Sequence, residues 1–92
     1  MKKVFRITNE TGIHARPATA LVNEAMKYES DVYLVALKKK VDFKSIMGVM
    51  SLGIYSGTTI EVEAVGADEV DALEGIKEKI VQLGLGKEIE GN

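Results

Sequence analysis

Cysteine is missing from the sequence altogether, and histidine and proline occur once each, as His14 and Pro17. The absence of cysteine excludes a disulfide scaffold, thiolate metal sites and thiol redox chemistry, and it fits a reducing compartment. One histidine without cysteine leaves no ligand set for a structural zinc site, so neither a metal nor a cofactor is expected. Basic charge is not in excess either: 12 Lys and Arg stand against 14 Asp and Glu, a net charge of -2. No global positive field is available for nucleic acid or an anionic membrane, and direct DNA binding is disfavoured. Long apolar runs are lacking too. The N-terminus, Met1-Lys2-Lys3-Val4-Phe5-Arg6, has no core long enough for a signal peptide, and no later stretch could span a bilayer. There is no internal repeat, linker or low-complexity segment. What remains is a 92-residue chain, 46% hydrophobic and 28% charged, with the size and composition of one cytoplasmic domain around a single core.

Apolar spacing divides this chain into seven elements. Residues 3 to 8 alternate, with Phe5 and Ile7 on one face, and predict a half-buried strand. Asn9-Glu10-Thr11-Gly12 is a turn-forming loop. From Ala15 to about Tyr28, Ala18, Leu21, Val22, Ala25 and Met26 recur at helical spacing. Pro17 fits only the first turn of that helix, which makes His14 its N-cap. Residues 31 to 43 read as two strands, with Val32, Leu34 and Ala36 on one face of the first and Tyr33, Val35 and Leu37 on the other. Lys38-Lys39-Lys40 lies at the reversal, and its solvated charge blunts a sheet edge. Without Asn-Gly or Asp-Gly the turn type stays open. Ser45 as N-cap and Gly53 as stop enclose a two-turn helix. Some of its apolar residues should pack inward and the rest form an exposed sticky surface. Thr59 to Val65 alternates as the fourth strand. A third helix follows, with Asp68, Glu69 and Asp71 at its start and Val70, Leu73, Ile76, Ile80 and Leu83 along its stripe. From Gly86 to Asn92 the chain reads as frayed. The order β-α-β-β-α-β-α implies an α+β domain: an antiparallel sheet with helices on one side.

The residues richest in chemistry are Gly12-Ile13-His14-Ala15-Arg16-Pro17. Neutral imidazole is a nucleophile. Phosphoryl transfer asks little covalent work of a protein; it needs in-line positioning and positive groups around the equatorial oxygens. A helix N-terminus offers free N–H donors and partial positive charge. With His14 as N-cap, the amides of Ala15 and Arg16 are free, and the Arg16 side chain adds a fixed positive charge. Spacing alone also allows a blander reading, in which His14 is merely a cap. Ser45 is equally explained by capping, although a phosphoserine dianion there would sit at the favourable end of the helix dipole.

Gly12-Ile13-His14-Ala15-Arg16-Pro17-Ala18-Thr19, with Lys44-Ser45-Ile46-Met47-Gly48-Val49-Met50-Ser51-Leu52-Gly53, strongly resembles the HPr family, phosphocarriers of the bacterial phosphoenolpyruvate-dependent sugar phosphotransferase system. The likeness covers residues 3 to 86 or so. It implies an open-faced β-sandwich of four antiparallel strands in the order 1-4-2-3 with three helices on one face, residues 1-86 forming the domain and 87-92 a tail. It also implies that His14 takes a phosphoryl group on Nδ1 from phosphorylated Enzyme I and passes it to sugar-specific IIA domains. Arg16 would then steady that group. Ser45, in a Gram-positive-type context, looks like the regulatory site of HPr kinase/phosphorylase, whose product is a corepressor for a LacI-type catabolite regulator. Ile46, Met47 and Met50 would form the docking patch. Such a protein is a relay rather than a stand-alone enzyme.

Two features depart from the family pattern. One is the extra tail, Lys87 to Asn92, to which no function is assigned. The other is the hairpin, whose tip reads Leu37-Lys38-Lys39 in place of a polar, Gly-containing turn, and whose first strand puts Tyr33, Val35 and Leu37 as an apolar row on the open sheet face. That row predicts weak self-association. A purely regulatory module acting through Ser45 is the competing reading from another class; the presence of His14 argues against it.

Overall fold

The computed structural model describes residues 1–89. The elements run β1 (Lys2–Ile7), α1 (Ala15–Ala25), β2 (Asp31–Ala36), β3 (Lys39–Asp42), α2 (Ile46–Ser51), β4 (Thr59–Val65), α3 (Glu69–Gln82) and β5 (Gly86–Ile89). All pairings are antiparallel, and the sheet order is β3-β2-β4-β1-β5. Alternation decides which face is covered. Phe5 and Ile7, Val32, Leu34 and Ala36, and Ile60, Val62 and Ala64 are buried together with Ala18, Leu21, Val22, Val49, Leu73, Ile76 and Ile80 from the helices, in one cluster. The fold is therefore the expected open-faced sandwich with three helices.

Among the described residues the sheet has five strands where four are predicted. The first four keep the expected order, and the expectation of a frayed segment from Gly86 on does not hold for Gly86–Ile89, which pair with β1 from Val4↔Ile89 to Ile7↔Gly86. Three contacts explain this. The buried Leu85 carbonyl accepts from the Thr8 and Asn9 amides at 2.8 and 3.3 Å. A Cβ at residue 86 would stand 2.1 Å from the Arg6 carbonyl oxygen, so only glycine permits the approach. Glu88 pairs with Lys3 at 3.2 Å and Lys77 at 3.1 Å, which holds its carboxyl below and the Lys77 ammonium above their ordinary values. The rest of the frayed stretch, Glu90 to Asn92, lies outside the described residues.

The hairpin also differs in detail. Its reversal is Leu37-Lys38, both at positive φ (52° and 67°), while Lys39 and Lys40 belong to β3. That is the two-residue loop whose twist suits antiparallel strands, built here from residues that fit it poorly. Leu37 thus leaves the open-face row. Tyr33 and Val35 remain, half-buried among charges: Lys40 stands 4.5 Å from the Tyr33 ring centroid and 2.7 Å from Glu63, and Lys2 pairs with Glu61 at 3.1 Å. Helix α1 ends at Ala25 rather than near Tyr28, because the Lys27 and Tyr28 amides bond three residues back, to Glu24 and Ala25.

Candidate functional site

His14 is the N-cap of α1, with extended backbone (φ -96°, ψ -169°), and its exposed ring makes no capping bond. Its carbonyl accepts the first helical bond, from the Ala18 amide at 2.9 Å. Position is set by the neighbours instead. Ile13 is buried, and its amide donates to the Ile54 carbonyl at 3.1 Å. Gly12, at φ +67°, lies so close to Ile54 that a Cβ would meet that same carbonyl oxygen at 2.2 Å. The loop before the histidine is thereby pressed against the segment after α2.

The start of α1 is chemically unusual. Ala15 and Arg16 contribute two first-turn amides that the helix leaves unbonded, and Pro17 occupies a third such place without a donor. No acidic residue lies in this first turn, whereas the start of α3 carries Glu69 and Asp71. The positive end of α1 therefore meets no carboxylate of its own helix, and an anion arriving beside His14 finds the dipole unneutralised. Arg16 is exposed and has no ion pair among the described residues. An open cleft of about 290 Å3 adjoins it, lined by Asn9, Thr11, Arg16, Pro17, Leu83 and Leu85.

Asn9 and the Leu85 segment are contributions that periodicity does not reveal. The Asn9 Nδ2 donates to the Gly12 carbonyl at 2.8 Å and to Thr11 Oγ1 at 3.3 Å, while the Gly12 amide donates back to the Asn9 carbonyl at 3.3 Å. The available signal was the Asn-x-x-Gly turn itself, since asparagine commonly bonds backbone a few residues ahead.

Ser45 is the N-cap of α2, and its Oγ accepts from the Gly48 amide at 3.0 Å. Gly53, at φ +60°, follows the C-cap Leu52, as the helix stop requires. Lys44 turns away from the serine, donating its ammonium to the Tyr28 carbonyl at 2.8 Å beyond the end of α1. On α2 Val49 packs inward, as does the C-cap Leu52; Ile46, Met47 and Met50 are 42%, 84% and 39% exposed. The two candidate sites thus lie on different helices, one side chain free and the other engaged as a cap. Among the described residues no group of His, Asp and Glu is placed to hold a metal, and no helix is long and apolar enough to cross a membrane.

A family model described as the PTS HPr component phosphorylation site matches residues 1–82. Solved structures agree with it. The chain is similar to the histidine-containing phosphocarrier protein of Mycoplasma, with 38% identity and a TM-score of 0.90, covering 99% of this chain and 100% of that one. It is similar to the phosphocarrier protein HPr of Bacillus anthracis, with 35% identity and a TM-score of 0.80, over 86% of this chain and 94% of that one. Crh, the Bacillus subtilis catabolite repression protein, is 43% identical with a TM-score of 0.71, over 84% and 88%, and that protein crystallises as a dimer with a swapped domain. A histidine at the N-cap that makes no capping bond, above unneutralised helix amides and within a match running nearly the length of the chain, places this protein in the HPr family of the phosphotransferase system.

Proposed function

We propose that this protein is a cytoplasmic phosphocarrier that relays a phosphoryl group from phosphorylated Enzyme I, through His14, to sugar-specific IIA domains. The observation that carries the reading is the free imidazole at the uncapped start of α1. The unprotonated Nδ1 attacks phosphorus; the bond to the donor breaks and its electron pair leaves with the donor. The Ala15 and Arg16 amides and the Arg16 guanidinium meet the charge on the transferring oxygens. Handing the group to the next acceptor reverses these steps, so the protein is restored without turning over alone. Ser45 is the regulatory site, modified by HPr kinase/phosphorylase, and the modified form serves a LacI-type catabolite regulator. Its phosphate would take over the cap of α2 at the favourable end of the dipole, beside the Ile46, Met47 and Met50 docking patch.

The deciding experiment is labelling by phosphoenolpyruvate plus Enzyme I, read by intact mass, on wild type and His14→Ala. An acid-labile gain of one phosphoryl group that disappears in the variant supports the carrier. No label on wild type, with Ser45 still modified by ATP and the kinase, would move the assignment to the regulatory module that the 43% identity to Crh keeps in view. Weak self-association through the open face, around Tyr33 and Val35, is part of the proposal. A monomer mass independent of concentration in light scattering would dispose of it.

A further inference from the structure

We infer that Asn9 is a positioning residue that holds Arg16 on the phosphoryl group carried by His14; this rests on the carrier reading above. The Asn9 amide has two ends with different fates. Its Nδ2 is committed to the Gly12 carbonyl and to Thr11 Oγ1. That fixes which way the amide points, because turning it over would set Oδ1 against the Gly12 carbonyl oxygen. Oδ1 is consequently buried without a donor, and it is the one side-chain atom in that condition among the described residues. Buried acceptors normally find a donor, so an orphan calls for an explanation.

The cleft supplies one. Asn9 and Arg16 line it together, and Arg16 carries a planar fork of N–H groups that no carboxylate engages among the described residues. When charge arrives beside His14, the guanidinium is drawn toward the start of α1. One N–H then closes on Asn9 Oδ1, and the others face the phosphoryl oxygens. Asparagine is suited to this role because its acceptor is neutral: it orients the guanidinium without cancelling its charge, as a carboxylate would. The Nδ2 end braces the loop, and Leu85, accepting from the Asn9 backbone amide, braces Asn9 in turn. Positioning of Arg16 thereby reaches back to the strand that closes the sheet.

The test is a double-mutant cycle on the rate at which phosphorylated Enzyme I labels His14. Asn9→Leu should slow labelling about ten-fold, the loss of one hydrogen bond to a charged group. In an Arg16→Lys background, where the fork is already gone, the same substitution should slow labelling by no more than about three-fold, the cost of the lost Gly12 brace alone. Asn9→Asp cannot donate to Gly12 and sets a carboxylate against the fork, so it should melt lower than wild type and label no faster than Asn9→Leu. Equal slowing by Asn9→Leu in both backgrounds, no slowing in either, or Asn9→Asp labelling at the wild-type rate would each overturn the inference. Absence of label on wild type would overturn the carrier reading and this inference with it. Label on wild type with additive losses overturns only the inference.

Discussion

Replacing Gly12 by alanine should be among the most damaging single-methyl additions available to this chain, and the structure says why. Two effects are superposed at Gly12, and Gly53 separates them. Both residues have positive φ, +67° and +60°, but a Cβ at Gly53 meets nothing within 4 Å, whereas one at Gly12 meets the Ile54 carbonyl oxygen at 2.2 Å. An L-residue in this region costs about 1–2 kcal/mol, partly offset by roughly 0.4–1 kcal/mol from a stiffer unfolded chain. Gly53→Ala should therefore lose about 1 kcal/mol. Gly12→Ala adds the displacement of a backbone carbonyl that holds the Ile13 amide at 3.1 Å, and breaking that bond inside the core adds about 1–3 kcal/mol. The sum, about 2–4 kcal/mol, corresponds to a fall in Tm of roughly 10–25 °C in a domain of this size, against about 5 °C for Gly53→Ala. Asparagine, which tolerates positive φ, should recover most of the loss at Gly53 and almost none at Gly12. The assay is thermal unfolding of the four variants followed by circular dichroism. Melting of Gly12→Ala within about 3 °C of Gly53→Ala, or rescue by Gly12→Asn, would show that the contact with Ile54 does not matter and that the loop before His14 is not pinned as described.

Four further outcomes are expected. The Asp68 carboxyl lies below its ordinary value of 3.8 because the Ser30 hydroxyl and the Glu29 and Ser30 amides donate to it; its contribution is present above that value and lost as pH falls through the folded value, so acid melts should flatten below about pH 4 in Asp68→Asn. Tyr28 is pushed up to about 12 by burial and by its bond to Glu24; that contribution is present below about pH 10 and lost as pH rises toward 12, so Tyr28→Phe should remove the corresponding alkaline loss of stability in pH-dependent melts. Converting the strained tip by Leu37→Asn with Lys38→Gly should raise stability by about 1 kcal/mol in urea unfolding, since both central residues of such a turn favour positive φ. His14→Ser should abolish labelling yet stabilise the chain by about 1 kcal/mol, because serine can cap α1 and the native ring does not.

Most of the fold could be read from apolar spacing because each strand buries one face and each helix one stripe. The elements that escaped are those held by something other than periodicity. In β5, Gly86-Lys87-Glu88-Ile89 looks like a solvated tail; what fixes it is a close backbone approach to Arg6 and two ion pairs from Glu88, both of which need a partner far away in sequence. Alternation places the hairpin reversal too late, at Lys38-Lys39-Lys40, for a related reason. Leu37 continues the alternation of β2, yet pairing of Ala36 with Lys39 leaves only Leu37 and Lys38 to turn the chain, so geometry overrode residue preference. At the candidate site, the caps at His14 and Ser45 were legible because proline, serine and glycine punctuate helices locally. Asn9 was not, since its role depends on a carbonyl, a cleft and an arginine that meet only after folding.

Two of these misses, β5 and Asn9, share a location. Gly86, Leu85, Asn9 and Gly12 form one continuous brace that runs from the last strand to the residue before Ile13, and every link is a backbone contact or a single amide. Apolar packing fixes helices and strands as bodies, but it tolerates small rotations of a loop between them. The nucleophile proposed at His14 needs directional bonds to keep its angle of attack, because transfer rates fall steeply with misplacement. The helix below could supply that control only by bonding the His14 side chain, which would remove the lone pair the chemistry needs. Holding the backbone on both sides and leaving the ring unbonded satisfies both demands. It also accounts for the strand that sequence alone read as a frayed end.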